Sequence, residues 1–326
     1  MFNGIIEKAK ALLGKGKPAP ALESEQSKKK VLVIEGGGMR GIFLAGVLQA
    51  FADHRFFPFE LIVGTSAGAL TGCAFAAGQI HVARDALMTK LLSGRFIQLS
   101  NIISTDKHVL DLDWMIDTIL KGPEPLNLDA LAQTCPVIMT ATHCPQNQEP
   151  QKIYLSTKND DVFVALKATA AIPMFYRGFV EYKGYSLLDG GVLNPIPFAK
   201  AMEMGYADED ILVVTTRPKG YRKKQDSFWL RTLYEMYYKK PGYKPLVSVL
   251  QNSYESYNKL LDDMENNHPT MQVIYPPANF DVERLTTKPE KILEGFEQGV
   301  FAGNEFLFPD KFFVETEDIS KKKVTN

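Results

Sequence analysis

The sequence predicts an α/β protein of three layers, α/β/α, in which helices cover both faces of a mostly parallel central sheet and an appended, largely helical C-terminal part follows. Two observations carry this expectation. The runs Val31 to Ile34, Leu61 to Val63 and Ile211 to Thr216 are unbroken stretches of aliphatic and β-branched residues, the pattern of strands buried on both faces. The first two of these runs end in glycine and are followed at once by small or apolar residues at helical spacing, so strand, turn and helix occur twice in the first 76 residues. With 326 residues, 45% hydrophobic and 23% charged, the chain has the composition of an ordinary globular protein with material for a sizeable core.

Taken in order, residues 1–30 form an N-terminal segment. Phe2, Ile5, Ile6, Ala9, Leu12 and Leu13 share one helical face, with Lys8, Lys10 and Lys15 elsewhere; such a helix either lies on an anionic membrane or packs on the protein's own surface. The Gly-, Pro- and Lys-rich stretch 14–30 reads as a linker. No signal peptide pattern and no apolar run of spanning length is present. Three cysteines favour a reducing compartment over a disulfide framework, so a cytoplasmic chain, peripheral at a membrane, is expected.

Residues 31–200 hold the chemistry. After the first strand, Gly36, Gly37, Gly38, Met39, Arg40 and Gly41 open a helix, an arrangement that gathers backbone N–H groups around a spot suited to an anion. The letters also spell G-x-G-x-x-G, but the second strand closes on Gly64, Thr65 and Ser66 and offers no acid for a ribose, and no Lys-Ser/Thr follows Gly41 as a P-loop requires. A developing oxyanion held by Gly36, Gly37 and Gly38 is the remaining reading. Gly64-Thr65-Ser66-Ala67-Gly68 fits G-x-S-x-G between a strand and a small-residue helix, where a sharp turn would project a serine oxygen above the sheet. Ser66 is therefore the candidate nucleophile.

A serine needs a base. The five histidines are poorly placed in the sequence, and only His268 lies late enough for the order serine, acid, histidine. Asp189 is the better candidate: Tyr185 to Leu188 read as a short strand, and Asp189-Gly190-Gly191 ends it with an acid followed by two unhindered residues. Cys135, His143 and Cys144 lack a fourth ligand at zinc spacing, so neither a metal nor another cofactor is expected.

Four blocks, GGGMRG at 36–41, GTSAG at 64–68, ATAAIPMFY at 168–176 and DGG at 189–191, with NPIP at 194–197, resemble the patatin-like phospholipases, and the whole chain is most similar to bacterial members with an extended C-terminal part. The resemblance implies a Ser66–Asp189 dyad without histidine, an oxyanion hole at Gly36 to Gly38, a supporting role for Arg40 in steadying the loop or attracting a phosphate head group, and an acyl site lined by Ile172, Pro173, Met174 and Phe175. It implies hydrolysis of carboxylic esters of phospholipids or lysophospholipids. A general esterase acting on small soluble esters, and a non-catalytic lipid- or nucleotide-binding module, are the alternatives.

Residues 201–326 are expected to complete or cap the core, with helices over 246–264 and 289–306 and a strand over 272–275. Within 219–244 eight basic residues, Lys219, Arg222, Lys223, Lys224, Arg231, Lys239, Lys240 and Lys244, stand against Asp226 and Glu235 and alternate with Tyr221, Phe228, Trp229, Tyr234, Tyr237, Tyr238 and Tyr243. Beside an esterase this favours a lipid surface over nucleic acid. The whole-chain charge of −1 conceals it, because the basic patches are offset by acids elsewhere.

Overall fold

A computed structural model describes residues 29–104 and 106–310; the N-terminal amphipathic segment at 1–13 lies outside the described residues. Eight strands form one sheet: β1 (Val31–Ile34), β2 (Leu61–Thr65), β3 (Val137–His143), β4 (Gln151–Ser156), β5 (Val180–Tyr182), β6 (Tyr185–Asp189), β7 (Ile211–Val214) and β8 (Gln272–Ile274). Among the described residues the α-helices of eight residues or more are α1 (Gly41–Asp53), α2 (Ala67–Ala76), α3 (Ile80–Met88), α4 (Val162–Ala170), α5 (Phe228–Tyr237), α6 (Lys244–Gln251), α7 (Ser253–Asn267) and α8 (Pro289–Leu307). The strand order is β5-β6-β3-β2-β1-β7-β8, with β4 also on β3. The run β3-β2-β1-β7-β8 is parallel, whereas β4, β5 and β6 join by antiparallel pairing.

Alternation along the buried strands divides the core in two. Leu32, Ile34, Ile62, Leu212 and Val214 face α1, α2, α3, α4 and α8. Val31, Val33, Leu61, Val63, Ile211 and Val213 face Ile196, Phe198 and Ala201, together with Leu261 and Met264 of α7. The C-terminal part is therefore no separate body: it contributes β7 and β8 to the sheet and a helix to each face. The stretch read as one helix over 246–264 is two, α6 and α7, separated at Asn252. Strands β4 and β5 went unanticipated, since Gln151, Lys152 and Glu181 leave them exposed and without a continuous apolar run.

Helix α8 lies directly on the backbone of α1. A Cβ at Gly46 would stand 2.3 Å from the Phe296 carbonyl oxygen, one at Gly299 2.2 Å from that of Phe43, and one at Gly303 2.8 Å from the Ala50 Cβ. Glycines at 295, 299 and 303 fall one turn apart on a single face, and the helix that carries the front of the sheet is thereby clamped to the C-terminal part. Gly299→Val forces side-chain carbons into main chain that cannot yield, and overpacking of this kind costs on the order of 3 kcal/mol. The expected outcome is a clear drop in the urea midpoint or failure to accumulate soluble protein; a midpoint equal to wild type would show that the two helices are not in backbone contact.

Candidate active site

The site begins with a property of β3. Strand β4 occupies one edge of β3 from Ile138 to His143, so β2 (Ile62–Thr65 against Val137–Thr140) and β6 (Leu187–Asp189 against Ala141–His143) share the other edge. They run in opposite directions and end head to head, Thr65 opposite Thr140 and Asp189 opposite Ala141, on adjacent residues of one strand. Ser66 and Asp189, far apart in sequence, are thereby delivered to the same spot.

Each strand end needs its glycines. Ser66 has φ 54° and ψ −123°, a left-handed conformation that costs on the order of 1–3 kcal/mol in a non-glycine residue. Its N–H donates to Thr169 Oγ1 (2.8 Å), and its carbonyl accepts from Ala69 and Leu70 as α2 starts. Helix α2 then lies so close to β1 that a Cβ at Gly68 would meet the carbonyl oxygens of Ile34 (2.4 Å) and Glu35 (2.6 Å). On the other side, a Cβ at Gly190 would fall 2.1 Å from Thr140 Oγ1. Thr65 and Thr140 share a hydrogen bond of 2.6 Å between their hydroxyls, Thr65 Oγ1 donates to the Asn194 carbonyl (2.8 Å), and Thr142 Oγ1 donates to the Asp189 carbonyl (3.0 Å). Thr169 and Thr140 were not singled out from the sequence; Thr169 lay within a recognised block, but nothing marked it as the anchor of Ser66.

The Asp189 carboxyl is buried, with only 6% of the residue exposed. Oδ1 accepts from the Gly191 N–H at 2.6 Å. Burial pushes its pKa up to about 6, against the stabilising hydrogen bonds from Ser66 and the Gly191 N–H and the more distant charge of Arg284. The Ser66 hydroxyl thus stands within electrostatic reach of a carboxylate that has lost most of its hydration.

Facing them is the glycine turn. Gly36 departs from expectation: its N–H is committed to the Pro195 carbonyl (3.1 Å) and its carbonyl accepts from Thr216 Oγ1 (3.1 Å), so it braces the turn and has no N–H free for an oxyanion. The N–H groups of Gly37 and Gly38, and that of Ala67 at the start of α2, have no acceptor among the described residues. Gly38 is left-handed (φ 58°). Arg40 is buried (4% exposed), and its Nε reaches Thr216 Oγ1 at 3.4 Å. Burial, with Arg284 and Arg217 nearby, pushes its pKa down to about 9, which still leaves it charged at neutral pH; Glu35 opposes the shift. Buried Glu35 accepts from the Thr216 N–H (2.5 Å) and the Tyr257 hydroxyl of α7 (2.6 Å). The Arg40 side chain thus lies within the turn, bonded to Thr216.

The segment 172–175 adjoins Asp189, whose N–H donates to the Ala171 carbonyl (2.9 Å). Ile172 and Phe175 are half-buried against the main core, while Pro173 and Met174 are buried, Met174 beneath α5 and α6 with Leu188, Val192, Leu246 and Leu250. No histidine joins the site. His268 pairs with Asp208 (2.9 Å) at the N-terminal edge of the parallel strands, opposite the edge that carries Ser66; His54, His81, His108 and His143 are engaged by Asn304, Glu124, Arg177 and Ser186. Cys135 and Cys144 flank opposite ends of β3, roughly 23 Å of strand apart, and no group of three metal-ligating side chains occurs among the described residues. None of their helices is long and apolar enough to cross a membrane.

The uncharacterized protein YjjU of Escherichia coli (strain K12) is 31% identical over 299 residues, covering 90% of this chain and 81% of that protein. An uncharacterized NTE family protein of Mycobacterium tuberculosis, Rv1063c, is 28% identical over 186 residues, 56% of this chain and 49% of its own length. The crystal structure of VipD from Legionella pneumophila aligns over 86% of this chain and 67% of that one, with TM-score 0.49 and 15% identity. Residues 243–308 match a domain of unknown function, DUF6363. Residues 32–202, which include both strand ends and the glycine turn, match the model of the patatin-like phospholipases, and the chain belongs to that family.

Proposed function

We propose that the protein is a lipid acyl hydrolase that cleaves carboxylic esters of phospholipids or lysophospholipids with a Ser66–Asp189 dyad. The observation that carries this reading is the strained Ser66 set against a buried carboxylate, opposite N–H groups of Gly37 and Gly38 that have no acceptor. In the reaction, Ser66 Oγ attacks the acyl carbonyl carbon and its proton passes to Asp189. The oxyanion is held by Gly37, Gly38 and Ala67. As the tetrahedral centre collapses, the alcohol leaves with the proton from Asp189. Water then attacks the acyl-enzyme, giving its proton to Asp189; the fatty acid departs and Ser66 regains a proton. A carboxylate of ordinary acidity is a weak base for this work, and burial that lifts Asp189 to about 6 brings it closer to the task.

Peripheral membrane contact belongs to the same proposal. Helix α5 packs Leu230, Leu233, Tyr234 and Tyr237 over Met174 and Leu188 and turns Phe228 (84% exposed), Trp229 (62%) and Met236 (65%) outward. Exposed Lys219, Lys224, Lys239, Lys240 and Lys244 flank it. Apolar anchors within a basic field suit an anionic bilayer.

Ser66→Ala is expected to abolish both ester turnover and labelling by a fluorophosphonate, and equal labelling of the variant would remove the nucleophile assignment. Asp189→Asn should lower kcat by about 100- to 10,000-fold, while His268→Ala stays near wild type; the reverse pattern would restore a histidine base. Because Asp189 must be ionised to accept a proton, kcat/KM should rise with unit slope to about pH 6 and then level off. The same shift acts on stability. The native state holds this proton more tightly than the unfolded chain, so stability is lost as pH rises from the ordinary carboxyl range through about 6. Asp189→Asn should therefore be more stable than wild type at pH 8, by on the order of 2 kcal/mol, and no gain in its urea midpoint would contradict the burial argument. For α5, replacing Phe228 and Trp229 together by serine should cut sedimentation of the full chain with phosphatidylserine-containing vesicles several-fold; undiminished sedimentation would remove α5 as the anchor.

A further inference from the structure

The loop between β8 and α8 reaches back over the glycine turn. The Arg284 carbonyl accepts from the Met39 N–H at 3.0 Å. A Cβ on Gly38 would stand 2.6 Å from that carbonyl oxygen and 2.8 Å from Arg284 Cγ. The stem of the Arg284 side chain therefore crosses Gly38, one of the residues whose N–H has no acceptor. Arg284 is exposed, and among the described residues its guanidinium has no hydrogen-bond, ion-pair or ring partner. Its charge nevertheless reaches Asp189, Arg40, Lys223 and Tyr234, and its stem on Gly38 sets it beside the glycine turn, at the rim of the proposed site.

Other cations share that rim. Arg217, next after Thr216, stacks on the Tyr221 ring at 4.4 Å and has no carboxylate partner among the described residues. Half-buried Lys223 donates to Ser253 Oγ (2.7 Å); burial, with Arg284, Arg217 and Arg40 as cationic neighbours, holds its pKa below the ordinary lysine value despite the nearby Asp226. Three acids of this region are already engaged, Glu35 by Thr216 and Tyr257, Asp226 by the Tyr234 hydroxyl (3.0 Å) and Asp189 by the Gly191 N–H, while exposed Glu283 beside Arg284 faces Lys291 electrostatically. Cations gathered without paired acids repel one another, and an arriving anion relieves that repulsion. An unpartnered guanidinium presents a fork that matches phosphate oxygens.

We infer that Arg284, with Arg217 and Lys223 behind it, forms a subsite for the phosphate of a phosphorylated acyl ester and sets the preference of the enzyme for such substrates. This rests on the hydrolase reading above. In a glycerophospholipid the phosphate hangs from a glycerol carbon adjacent or next-adjacent to the one that bears the ester. With the acyl carbon at Ser66 and the carbonyl oxygen at Gly37 and Gly38, a phosphate falls beside the residue that crosses Gly38. The subsite is supplied from outside the segment that carries Ser66 and Asp189, and Arg40 is too deeply buried to serve it.

The test compares lysophosphatidic acid with monoacylglycerol of the same acyl chain at about pH 8, where Asp189 is ionised with or without Arg284. Wild type should favour the phosphorylated ester in kcat/KM. Arg284→Ala should lower the ratio at least tenfold, Arg284→Glu further, and Arg284→Lys should recover part of it. The main-chain bond to Met39 survives each change, so the variants should melt with wild type. A ratio in Arg284→Ala within twofold of wild type overturns the subsite, while absence of any Ser66-dependent turnover of both esters overturns the hydrolase reading and the subsite with it. Inorganic phosphate separates the sources of the anion: inhibition of monoacylglycerol hydrolysis that disappears in Arg284→Ala marks a site that also takes free phosphate, and a ratio change without such inhibition marks one that takes phosphate only on a lipid.

Discussion

The site depends on the shared edge of β3. Two strands of opposite direction meet there, and each contributes the residue at which it stops. This arrangement needs no long-range loop to bring Ser66 to Asp189, because the register of β3 does so: a hydrogen-bonded ladder fixes residue positions to a fraction of an ångström, and a slip of one residue would turn every side chain to the other face. The glycines at 64, 68 and 190 follow from the same constraint. Each occupies a place where neighbouring main chain or a threonine oxygen stands closer than a Cβ tolerates, since two strand ends, a helix start and a turn converge within one layer of the sheet.

The cost of the arrangement is local and its compensation distributed. Ser66 is held at a left-handed φ and Asp189 is deprived of water, and both are unfavourable in isolation. They persist because hydroxyls of Thr65, Thr140, Thr142 and Thr169 tie the strand ends together, and because the glycine turn opposite is braced by buried charge. Glu35 and Arg40 bracket that turn, with Thr216 bonded to both. The two charges are joined through Thr216, with no direct salt bridge between them. Their contribution is geometric: Thr216, just past β7, and Tyr257 from α7 lock the conformation in which the N–H groups of Gly37 and Gly38 remain unspent.

Much of this was legible in the sequence because it is expressed in small residues and continuous apolar runs. Strands β1, β2 and β7 announce themselves as aliphatic stretches, β6 and β8 as shorter apolar runs, and G-x-S-x-G and Asp-Gly-Gly mark the strand ends by the steric demand they satisfy. What could not be read is what depends on register or on partners distant in the chain. Nothing in GGG says that the first N–H is taken by Pro195, so the sequence presents Gly36 as a donor where the fold makes it a brace. Nothing local distinguishes Thr169 or Thr216 from other buried threonines. Arg284 lies in a stretch of charged and polar residues, VERLTTK, with no periodicity or motif; only the fold places it on Gly38. Strands β4 and β5 were missed because one-sided exposure breaks the apolar pattern.

On the proposed reading, chemistry and recognition come from different parts of the chain. Ser66, Asp189 and the glycine turn all lie within 32–202. Tyr257, Arg284, the rim cations Arg217 and Lys223, and the outward face of α5 all lie beyond it. The glycine contacts of α8 on α1 join the two parts in backbone contact, so the C-terminal segment cannot shift without dragging the helix that begins at the glycine turn. In the proposed enzyme the residues that would select a substrate are thus mechanically continuous with those that would cleave it. In the proposed enzyme an anion at Arg284 would sit on the residue whose carbonyl holds Met39 and whose stem crosses Gly38. Recognition at the rim and placement of the proposed oxyanion donors would thus rest on one loop.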